Sequence, residues 1–183
     1  MTEVTQQAQQ QASQVSKFDT SYTGTTINRI DAKGRLSIPP EYRKLLQPTI
    51  EGAFFGVYCL PSLVDEGAIE CGGVDFIDFL LQLVSNVDEF ESARADIEET
   101  IYAEMLKLSF DKEGRITLPE ALRAQVGLKQ EAAIVGRANR FLLMDPSRVD
   151  STARRARTFL KDHKETYRAR SVPSVSARKG SVE

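Results

Sequence analysis

Tryptophan is absent from this chain, histidine occurs once and cysteine twice in 183 residues. The one histidine, His163, lies among lysines and arginines late in the chain, so neither a His-centred nucleophilic triad nor a multi-histidine metal site is available. Cys59 and Cys71 stand in apolar surroundings with no second CxxC or histidine partner, which reads as reduced packing residues rather than a disulfide or a metal site. No apolar run approaches the ~18 residues that a membrane span needs. The opening TEVTQQAQQQASQ also lacks the basic-then-apolar layout of a signal peptide, so a cytosolic protein is expected. A Gly-rich phosphate loop and a dinucleotide fingerprint are missing too. No enzyme, cofactor or metal is implied.

What is present suits one domain or two small interlocked ones, with 41% hydrophobic and 27% charged residues. The net charge of −2 conceals a division. Residues 61–104 hold twelve Asp or Glu against a single basic residue, Arg94, and should repel nucleic acid. Residues 151–183 hold nine Lys or Arg against Asp162, Glu165 and Glu183, the layout of a nucleic-acid-binding tail or of a solvated helix end.

One segment occurs twice. DAKGRLSIPPEYR, residues 31–43, returns as DKEGRITLPEALR, residues 111–123, with Asp, Gly, Arg, Pro and Arg at the same spacing and an offset of 80. A gapless match of thirteen residues in an otherwise unrepetitive chain indicates duplication of one structural unit.

Residues 1–22 are rich in Gln, Ser and Thr and read as a flexible arm. From Thr25 to Ile30 the pattern favours a strand, Asp31 to Gly34 a turn, and Leu36 to Ile38 a second strand, a β-hairpin in each copy. Asp31 and Asp111 can bond the following amides, and Gly34 and Gly114 tolerate positive φ, so these four are structural turn residues. Pro39 and Pro119 suit the first position of short helices over residues 39–46 and 119–126, the second capped by Gly127. Residues 132–147 then read as strand, turn at 136–140 and strand, ending at Pro146, with a shorter counterpart at 53–62 in copy one.

Between the copies, Phe76, Phe79, Leu80, Leu83 and Val84 repeat at helical spacing, and Phe90, Ala93, Ile97, Ile101 and Met105 follow after a break at 85–88. Two amphipathic helices result, with an acidic outer surface. A last helix over 147–169 carries few apolar anchors, Val149, Ala153, Ala156 and Leu160. The expected division is an arm at 1–22, a first repeat at 23–62, an acidic helical linker at 63–106, a second repeat at 107–148 and a basic helix and tail at 149–183.

Arg35 and Arg115 follow the turn glycines and project from the rims of two rigid ribbons. A guanidinium fork there suits guanine O6 and N7 in the major groove, which admits a β-ribbon. The other role is a salt bridge locking each turn, Arg35 to Asp31 and Arg115 to Asp111; the two are compatible. Arg43 and Arg123 fall at the C-terminal side of the short helices, where a cation can bond the last carbonyls, with phosphate contact as the second role. Asn28, Arg29, Lys33 and Lys112 flank the turns as phosphate contacts, which position a protein without reading sequence. Glu113 replaces Lys33 in copy two, so the second turn should hold phosphate less well.

The twofold D-x-x-G-R-[LI]-[ST]-[IL]-P-x-x-x-R pattern, with helical sequence between its copies, resembles the MraZ family of AbrB-like bacterial transcription factors from about Tyr22 to Val149. GVYCLPS at 56–62 followed by AIECGG at 68–73 resembles that family's longer-linker members. The resemblance implies an α+β fold: a duplicated swapped-hairpin AbrB-like β-barrel with an inserted helical hairpin and a C-terminal helix. It also implies a cytoplasmic, nucleoid-associated regulator of the division and cell-wall gene cluster that binds G-rich direct-repeat boxes in double-stranded DNA as a homo-oligomeric ring. Arg35 and Arg115 align with the arginines of the family motif. Repeated boxes suit ring assembly, because linked weak contacts gain effective concentration. Two other readings stand beside it: an interaction protein that restrains a neighbouring enzyme through the acidic helices, and an antitoxin-like regulator.

Overall fold

The computed structural model describes residues 19–88 and 91–164, and the chain divides at Pro146 into a body and a C-terminal helical unit. In the body each copy of the repeat supplies four strands and one short helix. Copy one contributes β1 (Thr25–Arg29), β2 (Arg35–Ser37), α1 (Pro40–Leu45), β3 (Gly56–Pro61) and β4 (Ala68–Gly72). After α2 (Val74–Ser85) and α3 (Ser92–Glu104), copy two contributes β5 (Leu106–Ser109), β6 (Arg115–Thr117), α4 (Glu120–Gln125), β7 (Glu131–Arg137) and β8 (Arg140–Met144).

The two copies pair with each other. A six-stranded antiparallel sheet runs β1-β7-β8-β4-β3-β5, so the first strand of each copy lies against the third strand of the other, and β4 and β8 meet at the centre. Its edge strands β1 and β5 do not close on each other. The remaining strands, β2 and β6, form a separate antiparallel ribbon in which Leu36 opposes Ile116. Within copy one, the expected hairpin between the first and second strands is reduced to one bridge, Ile30 to Leu36. Turn chemistry is local and forms where expected, but three-residue strands bury their apolar side chains only by adding the partner copy's strand.

Copy one also departs from its expected shape. Residues 68–72, expected within a helical linker, form β4, all five of them buried, and β3 with β4 makes a complete second hairpin. Its connection, residues 62–67, is longer than the Ala138–Asn139 turn of copy two, the reverse of the expected shortening. Loop and strand are tied together by Glu70, a buried carboxylate that accepts a 2.8 Å bond from the Ser62 hydroxyl and pairs with Arg140 Nε at 2.9 Å. Burial of an unpaired carboxylate would be costly, and these partners offset it.

Pro39 and Pro119 occupy the cap positions just before α1 and α4, not the first helical turn. Their backbones remain extended because the ribbon continues past β2 and β6: Ile38 N–H donates to the Gly114 carbonyl at 3.2 Å and Leu118 N–H to the Gly34 carbonyl at 2.9 Å. Ile38 and Leu118 join Leu36 and Ile116 in the main core, with Tyr42 and Leu122 from the helices. Tyr22, at the end of the expected arm, is buried as well, its ring 5.1 Å from Tyr42 and 5.2 Å from Phe141.

The helical pair forms a second cluster against Leu60 of β3 through Phe76, Leu80, Val84 and Ile101, with Ile97 and Met105 half-buried. Ala93 is exposed, and Phe90 falls outside the described residues. Cys59 and Cys71 oppose each other on β3 and β4 as buried thiols, and burial pushes the Cys71 thiol well up. After β8, a 3-10 turn at Pro146–Arg148 leads into α5 (Val149–Asp162), and residues 165–169 of the expected helix lie outside the described residues. Leu160 on it is half exposed, and the basic residues after Lys164 lie outside the described residues. Among the described residues, no helix is long and apolar enough to cross a membrane.

Candidate nucleic-acid interface

One ribbon, not two, presents both arginines of the repeat. Strand alternation turns Leu36 and Ile116 inward, both fully buried, and leaves Arg35, Ser37, Arg115 and Thr117 on the other face. The register places Arg35 opposite Thr117 and Ser37 opposite Arg115, so the arginines stand on a diagonal, roughly 7–8 Å apart along the backbone. Ser37 and Thr117 are exposed between them. The hydroxyls were visible in the sequence as the middle of an apolar-hydroxyl-apolar pattern, but the cross-copy pairing that makes them neighbours of the opposite arginine was not.

Each turn is built by its aspartate. Asp31 Oδ1 accepts the amides of Lys33 and Arg35, both at 2.9 Å, and its carbonyl accepts the Gly34 amide at 2.9 Å. Its Oδ2 accepts Arg35 Nε at 2.6 Å. Copy two repeats this with Asp111, which accepts the amides of Glu113 and Arg115 at 3.0 and 2.9 Å and Arg115 Nε at 2.7 Å. The backbone amide and side chain of Arg35, with the Lys33 amide, hold the Asp31 carboxyl below its ordinary range. At Asp111 the desolvation that pushes the carboxyl up is outweighed by the equivalent bonds from Arg115 and Glu113.

The salt-bridge role therefore exists, and it leaves the reading role open. Asp31 engages the Nε edge of Arg35, which leaves terminal guanidinium N–H groups to face outward. Arg115 is held more tightly, because Glu113 Oε2 takes its Nη2 at 2.8 Å. Its guanidinium pKa is raised by the bond to Asp111 first, then by the charges of Glu113 and of Asp31 from the other turn. Lys33 and Lys112 are exposed beside the turns, as is Arg29 at the end of β1. Asn28 differs from its expected role: its Nδ2 donates to the Ser37 carbonyl at 2.8 Å and closes the end of the ribbon.

Arg43 and Arg123 also take a different place. Each reaches back from its helix to the carbonyl before it, Arg43 Nε to Ile38 and Arg123 Nε to Leu118, both at 3.2 Å, rather than to the last helical carbonyls. From there each braces the turn of the other copy. A Cβ at Gly114 would run into the Arg43 guanidinium, and one at Gly34 would sit 2.8 Å from the Leu118 carbonyl oxygen and 3.4 Å from Arg123 Nη2. These glycines also hold φ of +75° and +78°. Close approach and backbone conformation thus both require glycine.

Among the described residues, no group of His, Cys, Asp and Glu could hold a metal ion. Residues 101–169 match the family model described as "MraZ protein, putative antitoxin-like". The chain is 35% identical to the transcriptional regulator MraZ of Rickettsia canadensis over 120 residues, 66% of this chain and 78% of that protein. It is 32% identical to the same-named protein of Rickettsia rickettsii over 142 residues, 78% of this chain and 93% of that protein. With Rickettsia akari the identity is 30% over the same shares of the two chains. At 30% identity or more, over most of the length of each relative, these matches establish that this chain belongs to the MraZ family.

Proposed function

We propose that the chain is a transcriptional regulator, not an enzyme, that binds a short G-rich box in double-stranded DNA with the outer face of the β2–β6 ribbon. The observation that carries this reading is the diagonal of Arg35 and Arg115 on a two-stranded ribbon whose other face is wholly buried. A ribbon of that width fits the major groove, and an arginine fork can bond guanine O6 and N7 together. Asp31 and Asp111 orient the guanidinium groups in advance, so little side-chain entropy is lost on binding. Lys33, Lys112 and Arg29 then meet phosphates on either side.

The reciprocal exchange of strands is consistent with a swapped-hairpin AbrB-like barrel half contributed by each copy. As in the named relatives, control of transcription is the expected role, with the division and cell-wall cluster and the chain's own promoter as targets. The protein would then be cytoplasmic and nucleoid-associated. Assembly into a homo-oligomeric ring would align several ribbons on direct repeats, so that weak contacts sum. An antitoxin-like regulator would use the same ribbon and differ in the genes beside its own.

Binding to the DNA upstream of its own gene, followed by fluorescence anisotropy at several salt concentrations, tests the reading. Replacing Arg35 or Arg115 by Ala should cost about 1–3 kcal/mol per lost guanine contact and relax preference for the box. Unchanged box affinity in both variants, with a native circular dichroism spectrum, would overturn it.

A further inference from the structure

The two ends of the ribbon differ in a way that the repeated motif conceals. Beside the first turn, a cleft of about 530 Å³ is lined by Arg29, Ile30, Asp31, Arg123, Lys129 and Gln130. Backbone bonds identify its counterpart beside the second turn: Ile30 N–H donates to the Gln130 carbonyl, and Phe110 N–H to the Phe55 carbonyl. Gln130 thus corresponds to Phe55, Lys129 to Phe54 and Arg29 to Ser109. Where the first turn has two cations beside it, Arg29 and Lys129, the second has Ser109 and Phe54, and Phe55 and Phe110 pack with ring centres 4.9 Å apart.

The cleft has the makings of an anion site. Arg29 and Lys129 are exposed, and among the described residues neither makes an ion pair. Arg123 is fixed beside them by its bond to the Leu118 carbonyl. The one carboxylate lining the cleft, Asp31, is committed to Arg35 and two amides, and Glu131 stands across from Arg29 at the margin. Arg29, Arg123 and Lys129 therefore face one committed carboxylate and one marginal one.

Resting on the ribbon reading above, we propose that this cleft binds a backbone phosphate of the DNA beside the box, on the copy-one side only, and so fixes the direction in which the chain lies on DNA. A ribbon with two arginines on a pseudo-twofold diagonal would otherwise fit a box in either direction. One phosphate clamp at one end breaks that degeneracy, which suits boxes arranged head to tail. Phosphate contacts set register and orientation without reading bases.

The test uses the full chain with Arg29→Ser and Lys129→Ala together, and leaves the ribbon and Arg123 intact. The slope of log affinity against log salt should become shallower by roughly 1 to 2, with the same proportional loss on box and scrambled DNA. Neutral methylphosphonate linkages placed singly around the box should weaken the unaltered chain more at one flank than at the other, and the double variant should lose that difference. An unchanged slope with box preference retained, or equal interference at both flanks, would overturn the clamp and leave the ribbon reading standing. Absence of any box preference in the unaltered chain would overturn both.

Discussion

The turn at Asp31–Arg35 and the turn at Asp111–Arg115 have the same backbone and different charges. Aspartate, glycine and arginine make the same bonds in both, within about 0.1 Å in the ion pair from arginine Nε. The second turn adds Glu113, which holds Arg115 from a second side, where the first has Lys33. Beyond the turns the contrast widens to Arg29 and Lys129 against Ser109 and Phe54. What the copies share is what the ribbon needs in order to form, and what they do not share determines how each end can meet an anion. In a pair of identical chains every change would appear at both ends, whereas duplication within one chain lets one end change alone.

The comparison can be broken most severely from below. Leu36→Ala or Ile116→Ala removes a fully buried side chain from the inner face of the ribbon and should cost about 2–5 kcal/mol in urea unfolding. Because these residues oppose each other, the double variant should deviate from additivity; a strictly additive pair would count against a shared ribbon core. Next come the glycines. Gly34→Ala and Gly114→Ala both strain a positive φ, a cost of about 1–3 kcal/mol. The Gly34 change should be the larger, since its obstacle includes a backbone carbonyl while that at Gly114 is a side-chain end. Equal midpoints in thermal melts would remove that distinction.

Function sharpens the contrast further. Arg35→Ala should weaken box binding more than Arg115→Ala, within the range of about 1–3 kcal/mol, because Arg115 is engaged by two carboxylates. Glu113→Lys should release Arg115, add a phosphate contact and narrow the gap; anisotropy titrations of the three variants check the order. The smallest effect is with pH. Both turn aspartates have folded-state pKa values below the unfolded value of roughly 3.9. Their contribution to stability is full above that value and is lost as pH falls through the lower folded values. Asp31→Asn and Asp111→Asn should each flatten the acid limb of the stability curve, and a limb unaltered in both would place the acid sensitivity elsewhere.

Local chemistry was legible in the sequence and remote pairing was not. The D-x-x-G turns, the two helices led by Phe76 and Ile97, and the short helices after Pro39 and Pro119 all rest on contacts within a few residues. Residues 68–72 were hidden because Glu70 and the surrounding acidic residues mask a strand whose carboxylate is paired only in the folded protein, by Arg140 seventy positions on. Arg43 and Arg123 turned toward the preceding carbonyls because the space beside each is the other copy's glycine, which no spacing within one copy discloses. Asn28 likewise found the end of the ribbon. Of the candidate site, Arg35 and Arg115 are read from the repeat and Arg29 from its place beside the first turn. Lys129 was missed because copy one runs longer after its helix, which slides Phe54 and Phe55 out of register with Lys129 and Gln130; a comparison counted back from the next strand would have found it.

The pairing of β1 with β7 bears on how the chain is made. Thr25 meets Val135 and Arg29 meets Glu131, so β1 finds its partner only when nearly the whole body has been synthesised. β2 likewise waits for β6. Until then Leu36 and Ile38 have no core to enter, and long-range pairing of this kind slows folding and exposes apolar strands to other chains. Of the sheet, only the β3–β4 hairpin can form early, and it is the one element of copy one whose strands are neighbours in sequence. The bond from Ser62 of its connection to Glu70 of β4 would then secure a first foothold during translation, on which the exchanged strands settle later.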